Sequence, residues 1–268
     1  MSHRGGRLKN TLSVLLVLFL VLFGGQEASA QISDINVAIN KAGRQRMLSQ
    51  RIAKAYFQVG QQVDVEHSRK ILDGSIAQFD RQLVELKAYA PSSEIRQVYL
   101  DLEQLWLTYK DILIGAAPSP ANGRKILKIS EDVLTLAQQG TVLLEKKSGT
   151  AVGHLVNVSG RERMLSQRMA KFYPEISWGV ADERSAANLE LARKDFVEAL
   201  QELSMARVNS PQITDDLELA KQQWLFFDNA LRQKNGPDKR PQLVVATTSE
   251  RILEEMEGVV DLYEKLPK

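Results

Sequence analysis

Outside its first thirty residues the chain repeats apolar side chains at helical spacing, three or four residues apart, with no alternating Val/Ile/Thr runs of strand length. Ala, Leu, Gln, Glu, Lys and Arg dominate, all good helix formers. The pattern predicts helices over about 34–59, 66–89 and 94–114. Ala90-Pro91-Ser92-Ser93 breaks the second from the third, with Ser93 as a cap. A loop dense in turn formers, Gly115 to Gly123, precedes a fourth helix starting near Arg124 and running past Leu144. The same plan follows again, with helices from about Val152, over about 182–205, around Trp224, Phe226 and Phe227, and over about 245–266. Asn209-Ser210-Pro211 and Lys234 to Pro241 serve as the breaks.

The two halves are copies. Gly43 to Tyr56 reads GRQRMLSQRIAKAY, and Gly160 to Tyr173, 117 residues later, reads GRERMLSQRMAKFY, agreeing at eleven of fourteen positions. Phe79 and Leu83 recur as Phe196 and Leu200 at the same offset, and Trp106 as Trp224 at 118. The expected fold is all-α: two tandem up-down four-helix bundles, over 31–147 and 148–268. The join, Lys146 to Thr150, is compatible with a bend, giving side-by-side bundles, or with a continuous helix, giving a rod.

Composition adds a location. Arg4, Arg7 and Lys9 precede a mostly apolar run from Leu12 to Phe23, and Ala28-Ser29-Ala30 supplies small residues at signal-peptidase spacing. Residues 1–30 therefore read as a cleaved secretory signal, with an uncleaved anchor as the rival, since the run is short of the roughly 20 residues of a span. Without them the chain carries 32 basic and 32 acidic residues, so charge gives no argument for nucleic acid. With no cysteine, stability in an oxidising compartment must come from packing.

The repeated helix carries the candidate chemistry. At 100° per residue, Leu48, Ile52 and Tyr56 share one face with Ala38 and Val59, which packs into the bundle. Gly43, Arg46, Met47, Gln50 and Lys54 share the other, as do Gly160, Arg163, Met164, Gln167 and Lys171, with Asn40 and Asn157 one turn before the glycines. A mid-helix glycine costs about 1 kcal/mol relative to Ala, and its missing side chain permits close approach of a helix or a ligand. Arginine three residues on supplies a planar fork of donors suited to a small planar oxyanion. Two such faces brought together place Arg46 and Arg163 on either side of one site, where an anion relieves their repulsion. The plainer reading is a packing notch with solvated arginines. Arg44, Arg51, Arg161 and Arg168 lie off the stripe and read as salt-bridge or rim residues.

At these residues the chain resembles the periplasmic sensor domain shared by the type IV pilus chemotaxis transducer PilJ and the nitrate/nitrite sensor kinases NarX and NarQ. The signature is Asn40, Ala42-Gly43, Arg46-Met47, Ser49 and Arg51, and again Asn157, Ser159-Gly160, Arg163-Met164, Ser166 and Arg168. RMLSQR is closer to the PilJ type. In the nitrate-binding members two subunits bring their signature helices together and one arginine from each contacts the anion. The resemblance implies Arg46 and Arg163 as principal contacts beside Gly43 and Gly160, in a pseudo-dimer made by one chain, with homodimerisation still open. Family members continue into a membrane helix and output modules. This chain has no second apolar span, so the expectation is a sensor of nitrate or nitrite without its own output module, handing its state to a separate membrane transducer. The alternative is a cell-envelope interaction module in which the repeated helices are packing surfaces.

An enzyme is not expected. There is no cysteine, phosphate-binding glycine loop, HExxH or Gly-x-Ser-x-Gly, and no cofactor or metal is implied. His67 and His154 do not correspond between the copies and read as surface or helix-end residues. Glu145 and His154, nine apart, have no second pair to complete a metal set. Asp215 and Asp216 suit a helix start.

Overall fold

The computed structural model describes residues 32–115, 117–233 and 239–267, and the apolar leader lies outside them. Among the described residues there are eight helices: α1 (Ile35–Gly60), α2 (Val65–Tyr89), α3 (Ser93–Gly115), α4 (Pro120–Ser148), α5 (Ala151–Ser177), α6 (Ser185–Ser204), α7 (Pro211–Leu231) and α8 (Arg240–Glu264). None is long and apolar enough to cross a membrane.

The ends follow local chemistry. Asp34 caps α1 by accepting from the Asn36 N–H at 2.6 Å. α4 begins four residues earlier than the turn-rich stretch suggests. Pro120 occupies the first turn, where its missing N–H costs nothing, and Ser119 caps it through the Asn122 N–H. α8 likewise starts near Pro241 rather than at Val245. Ser92, not Ser93, caps α3, accepting from the Ile95 N–H at 3.2 Å. The join is a bend: Gly149, at φ 62°, closes α4 in the left-handed region, and Thr150 caps α5 through the Gly153 N–H at 3.0 Å.

α1 to α4 pack as one four-helix unit and α5 to α8 as the other. Phe79 stacks on Trp106 with ring centroids 4.0 Å apart, and Phe196 on Trp224 at 4.7 Å, so the copies match in space as in sequence. The units meet side by side, and their buried apolar residues form one core. At its centre α1 and α5 run parallel and in register. Gly43 faces Gly160, Lys54 reaches Gln167, and Gln61 reaches Pro174. Leu48, Ile52 and Tyr56 are buried as expected, but so is the opposite face, because α1 is wrapped on every side.

A wedge closes the lower end. Trp178, in the turn after α5, lies edge-on to Phe57 at 5.9 Å and over Gly60, where a Cβ would fall 2.2 Å from the ring. Its counterpart by the offset is Gln61, which donates to the Pro174 carbonyl at 2.9 Å and accepts from Ser177 Oγ at 2.6 Å.

Candidate functional site

Helical periodicity puts Asn40, Gly43 and Arg46 on one stripe of α1, and the pairing with α5 sets the same stripe of the second copy against it. The two glycines let the backbones touch: a Cβ on Gly43 would lie 3.7 Å from the Gly160 Cα. Into the groove beside them come both guanidiniums. The Nη2 atoms of Arg46 and Arg163 lie 3.1 and 3.5 Å from that Cβ position. Both side chains are 0% exposed, and the Nε of each has no partner.

Their partners cross between the copies. Arg46 Nη2 donates to the Asn157 carbonyl at 3.1 Å. Arg163 Nη2 donates to the Asn40 carbonyl at 3.3 Å and to Asn40 Oδ1 at 2.8 Å. Asn40 Nδ2 in turn donates to Glu264 Oε2 at 2.6 Å, and Asn157 Nδ2 to Glu145. Met47 and Met164 are buried alongside. Gln50 and Gln167 turn to the carbonyls of Ser130 and Ser249 on the fourth helix of their own unit, each at 3.0 Å.

The symmetry fails most clearly at the Nη1 partners. Arg163 Nη1 donates to the carboxylate of Glu257 at 2.6 Å, whereas Arg46 Nη1 donates to the amide oxygen of Gln138 at 2.6 Å. Arg46 is thus a buried cation with only neutral acceptors. Burial, then Arg163 and Arg161, pull its pKa from 12.5 down to about 9. Burial also lowers that of Arg163, against the support of Glu257. A buried Arg46 with neutral acceptors, set beside Arg163 where the two glycines meet, has electrostatics that favour a nearby anion.

Two turns further on, each repeat buries a lysine against a glutamate of the other unit. Lys54 Nζ meets Glu250 and donates to Gln167 Oε1 at 2.7 Å, and Lys171 Nζ donates to Glu131 Oε1 at 2.5 Å. Arg51 joins Glu250, and Arg168 donates to Glu131 at 2.6 Å. Burial alone would raise both carboxyl pKa values. The lysine and arginine on each instead hold Glu250 and Glu131 at about 2. Arg44, Arg51 and Arg168 are therefore salt-bridge residues, as their place off the stripe suggests, with Arg44 on Glu257. Arg161 departs from this: no acidic side chain pairs with it among the described residues, and its Nε is buried without a partner. His154 bridges Glu145 at 2.5 Å and Glu202 at 2.7 Å from the half-exposed rim.

Glu131, Glu250, Glu257 and Gln138 lie outside the repeated helix and carry no motif of their own. The signal was available in the fourth helices, where Ser130-Glu131 recurs as Ser249-Glu250 at an offset of 119 rather than 117. No group of three His, Cys, Asp or Glu is placed to hold a metal among the described residues.

The family model described as PilJ, Type IV pili methyl-accepting chemotaxis transducer N-term, matches residues 28–128 and 146–231. No curated protein and no solved structure matches.

Proposed function

Because the chain belongs to the PilJ family of sensor domains, we propose that it is a periplasmic sensor that binds a small planar oxyanion, nitrate or nitrite, between Arg46 and Arg163. The observation that carries this reading is the pair of fully buried guanidiniums beside Gly43 and Gly160, with Arg46 lacking any carboxylate partner. An anion there offsets the repulsion of the two guanidiniums, and it ties α1 to α5. Asn40 and Asn157 hold the guanidiniums in place from the opposite repeat. Met47 and Met164 supply apolar walls, and Gln50 and Gln167 fix each signature helix to its own bundle.

Occupancy then alters the approach of α1 and α5, and with it the spacing of the two bundles. That is a conformational signal suited to a separate membrane transducer. Export by the segment over 1–30 puts the site in the periplasm. The other reading, an envelope interaction module built on the repeated helices, needs those helices on an outer surface. Their burial inside the chain weighs against it.

The test is Arg46→Glu. The new carboxylate lies beside Arg163 and occupies the place of the anion. Wild type is expected to gain thermal stability with nitrate, about 2.7 kcal/mol at a hundredfold excess over Kd. The variant keeps its helical circular dichroism and loses that response. A variant that still responds to nitrate sinks the assignment. A change in assembly, with or without anion, moves the balance to the interaction module.

A further inference from the structure

The fourth helices superimpose at an offset of 119. Ser130 and Ser249 each accept from the glutamine of their own half, and Glu131 and Glu250, like Glu145 and Glu264, make matching contacts across to the other half. On that register Glu257 corresponds to Gln138. In the second half the Glu257 carboxylate is a bridge. Its Oε2 accepts from Arg163 Nη1 at 2.6 Å and from Arg44 Nη2, and its Oε1 accepts from Arg44 Nε at 3.2 Å.

The first half has the same cations without the bridge. Arg161 is the counterpart of Arg44, close enough to Arg46 to depress its pKa as Arg44 depresses that of Arg163. Gln138 uses its oxygen on Arg46 Nη1 at 2.6 Å, so its Nε2, a donor, stands where Glu257 offers an acceptor. Arg161 Nε, the counterpart of the atom that Arg44 uses on Glu257, is buried and has no partner among the described residues. By that correspondence the first half sets a donor where the second half has an acceptor for this atom. Turning the amide only transfers the mismatch to Arg46. The nearest acids do not resolve it. Burial pushes the Glu162 pKa well above the ordinary carboxylate value, against the pull of Arg161, and Glu145 is engaged by Asn157 and His154.

We infer that a small carboxylate from solution binds between Arg161 and Gln138, beside Arg46, as a replacement for the missing glutamate bridge. The ligand class is set by the mirror position, which holds a carboxylate on an Arg fork. This goes beyond the nitrate site. It uses Arg161, which the central site does not, and it does not need Arg163.

The experiment is thermal unfolding of the purified protein in sodium formate against sodium chloride at equal ionic strength. Formate is expected to raise the midpoint saturably by roughly 3 °C. Gln138→Glu supplies the bridge internally, so it unfolds at a higher temperature in chloride and loses the response to formate. Glu257→Gln opens the mirror position and enlarges the response. Arg161→Gln removes the response while nitrate binding persists, whereas Arg163→Ala does the reverse, which separates this site from the central one. An equal formate response in wild type, Gln138→Glu and Arg161→Gln overturns the inference. If Gln138→Glu does not fold, an unchanged response in both Glu257→Gln and Arg161→Gln overturns it equally.

Discussion

Glu250→Gln is expected to lower the free energy of unfolding by about 3–5 kcal/mol, the cost of leaving a buried charge without its partner. Lys54 is 0% exposed, and among the described residues its ammonium has only Gln167 Oε1, Ser249 Oγ and Glu250 as acceptors. Burial already lowers its pKa, against the pull of Glu250. Without the carboxylate Lys54 must lose its proton or draw in water, and Arg51 beside it loses its partner too. Glu131→Gln should cost a similar amount, because Lys171 and Arg168 stand in the mirror arrangement. The pH dependence has the matching sign. With a folded pKa near 2 against 4.5 unfolded, each carboxylate contributes stability that is full above about 4.5 and lost as pH falls toward 2. Urea unfolding at pH 7 measures the loss, and Lys54→Met with Glu250→Gln should recover part of it. A loss below about 1 kcal/mol would mean that the pair is solvated, like an ordinary surface bridge.

Glu175→Gln should act in the opposite direction. Glu175 is fully buried at the end of α5, with Oε1 accepting from Ser185 Oγ and Oε2 without a partner. Burial, resisted by Lys171, raises its pKa from 4.5 to about 7. The folded state therefore holds the proton more tightly than the unfolded state. The favourable contribution of the neutral acid is complete below about 4.5 and is lost as pH rises through 7. At pH 8 the deficit is roughly 3 kcal/mol, at about 1.36 kcal/mol per unit. The mirror position already shows the remedy: Gln58 sits there, its Oε1 accepting from Ser68 Oγ at 3.2 Å. Wild type and Glu175→Gln are expected to have equal urea midpoints at pH 4, and the variant to lead by roughly 3 kcal/mol at pH 8. Parallel profiles across that range would show that Glu175 does not titrate in the folded state.

What the sequence disclosed and what it hid have one physical origin. The duplicated helix, the helical plan and the Phe79–Trp106 and Phe196–Trp224 correspondences are local or periodic signals. All reappear in space. The bend at Gly149 was undecidable, since one glycine suits either a left-handed cap or a continuing helix. Pro120 and Pro241 were read as loop residues, although proline is equally at home in a first turn. The full burial of Arg46, Lys54, Arg163 and Lys171 is illegible from α1 and α5 alone, because it depends on Gln138 and on carboxylates 40 to 196 residues away, in helices with a different offset. Comparing the copies at 119 in α4 and α8 would have paired Glu131 with Glu250, and Gln138 with Glu257. The second pair shows that the duplicated site is not electrostatically symmetric.

The account stands on an anion held between the two copies of one helix. Calorimetric titration of the purified protein with nitrate and nitrite, with chloride and sulfate as controls, tests it most directly. Saturable heat is predicted for nitrate or nitrite, lost in Arg46→Ala and in Arg163→Ala and kept in Arg161→Gln. Absence of heat from a well-folded sample, or heat that survives the loss of both Arg46 and Arg163, would contradict it.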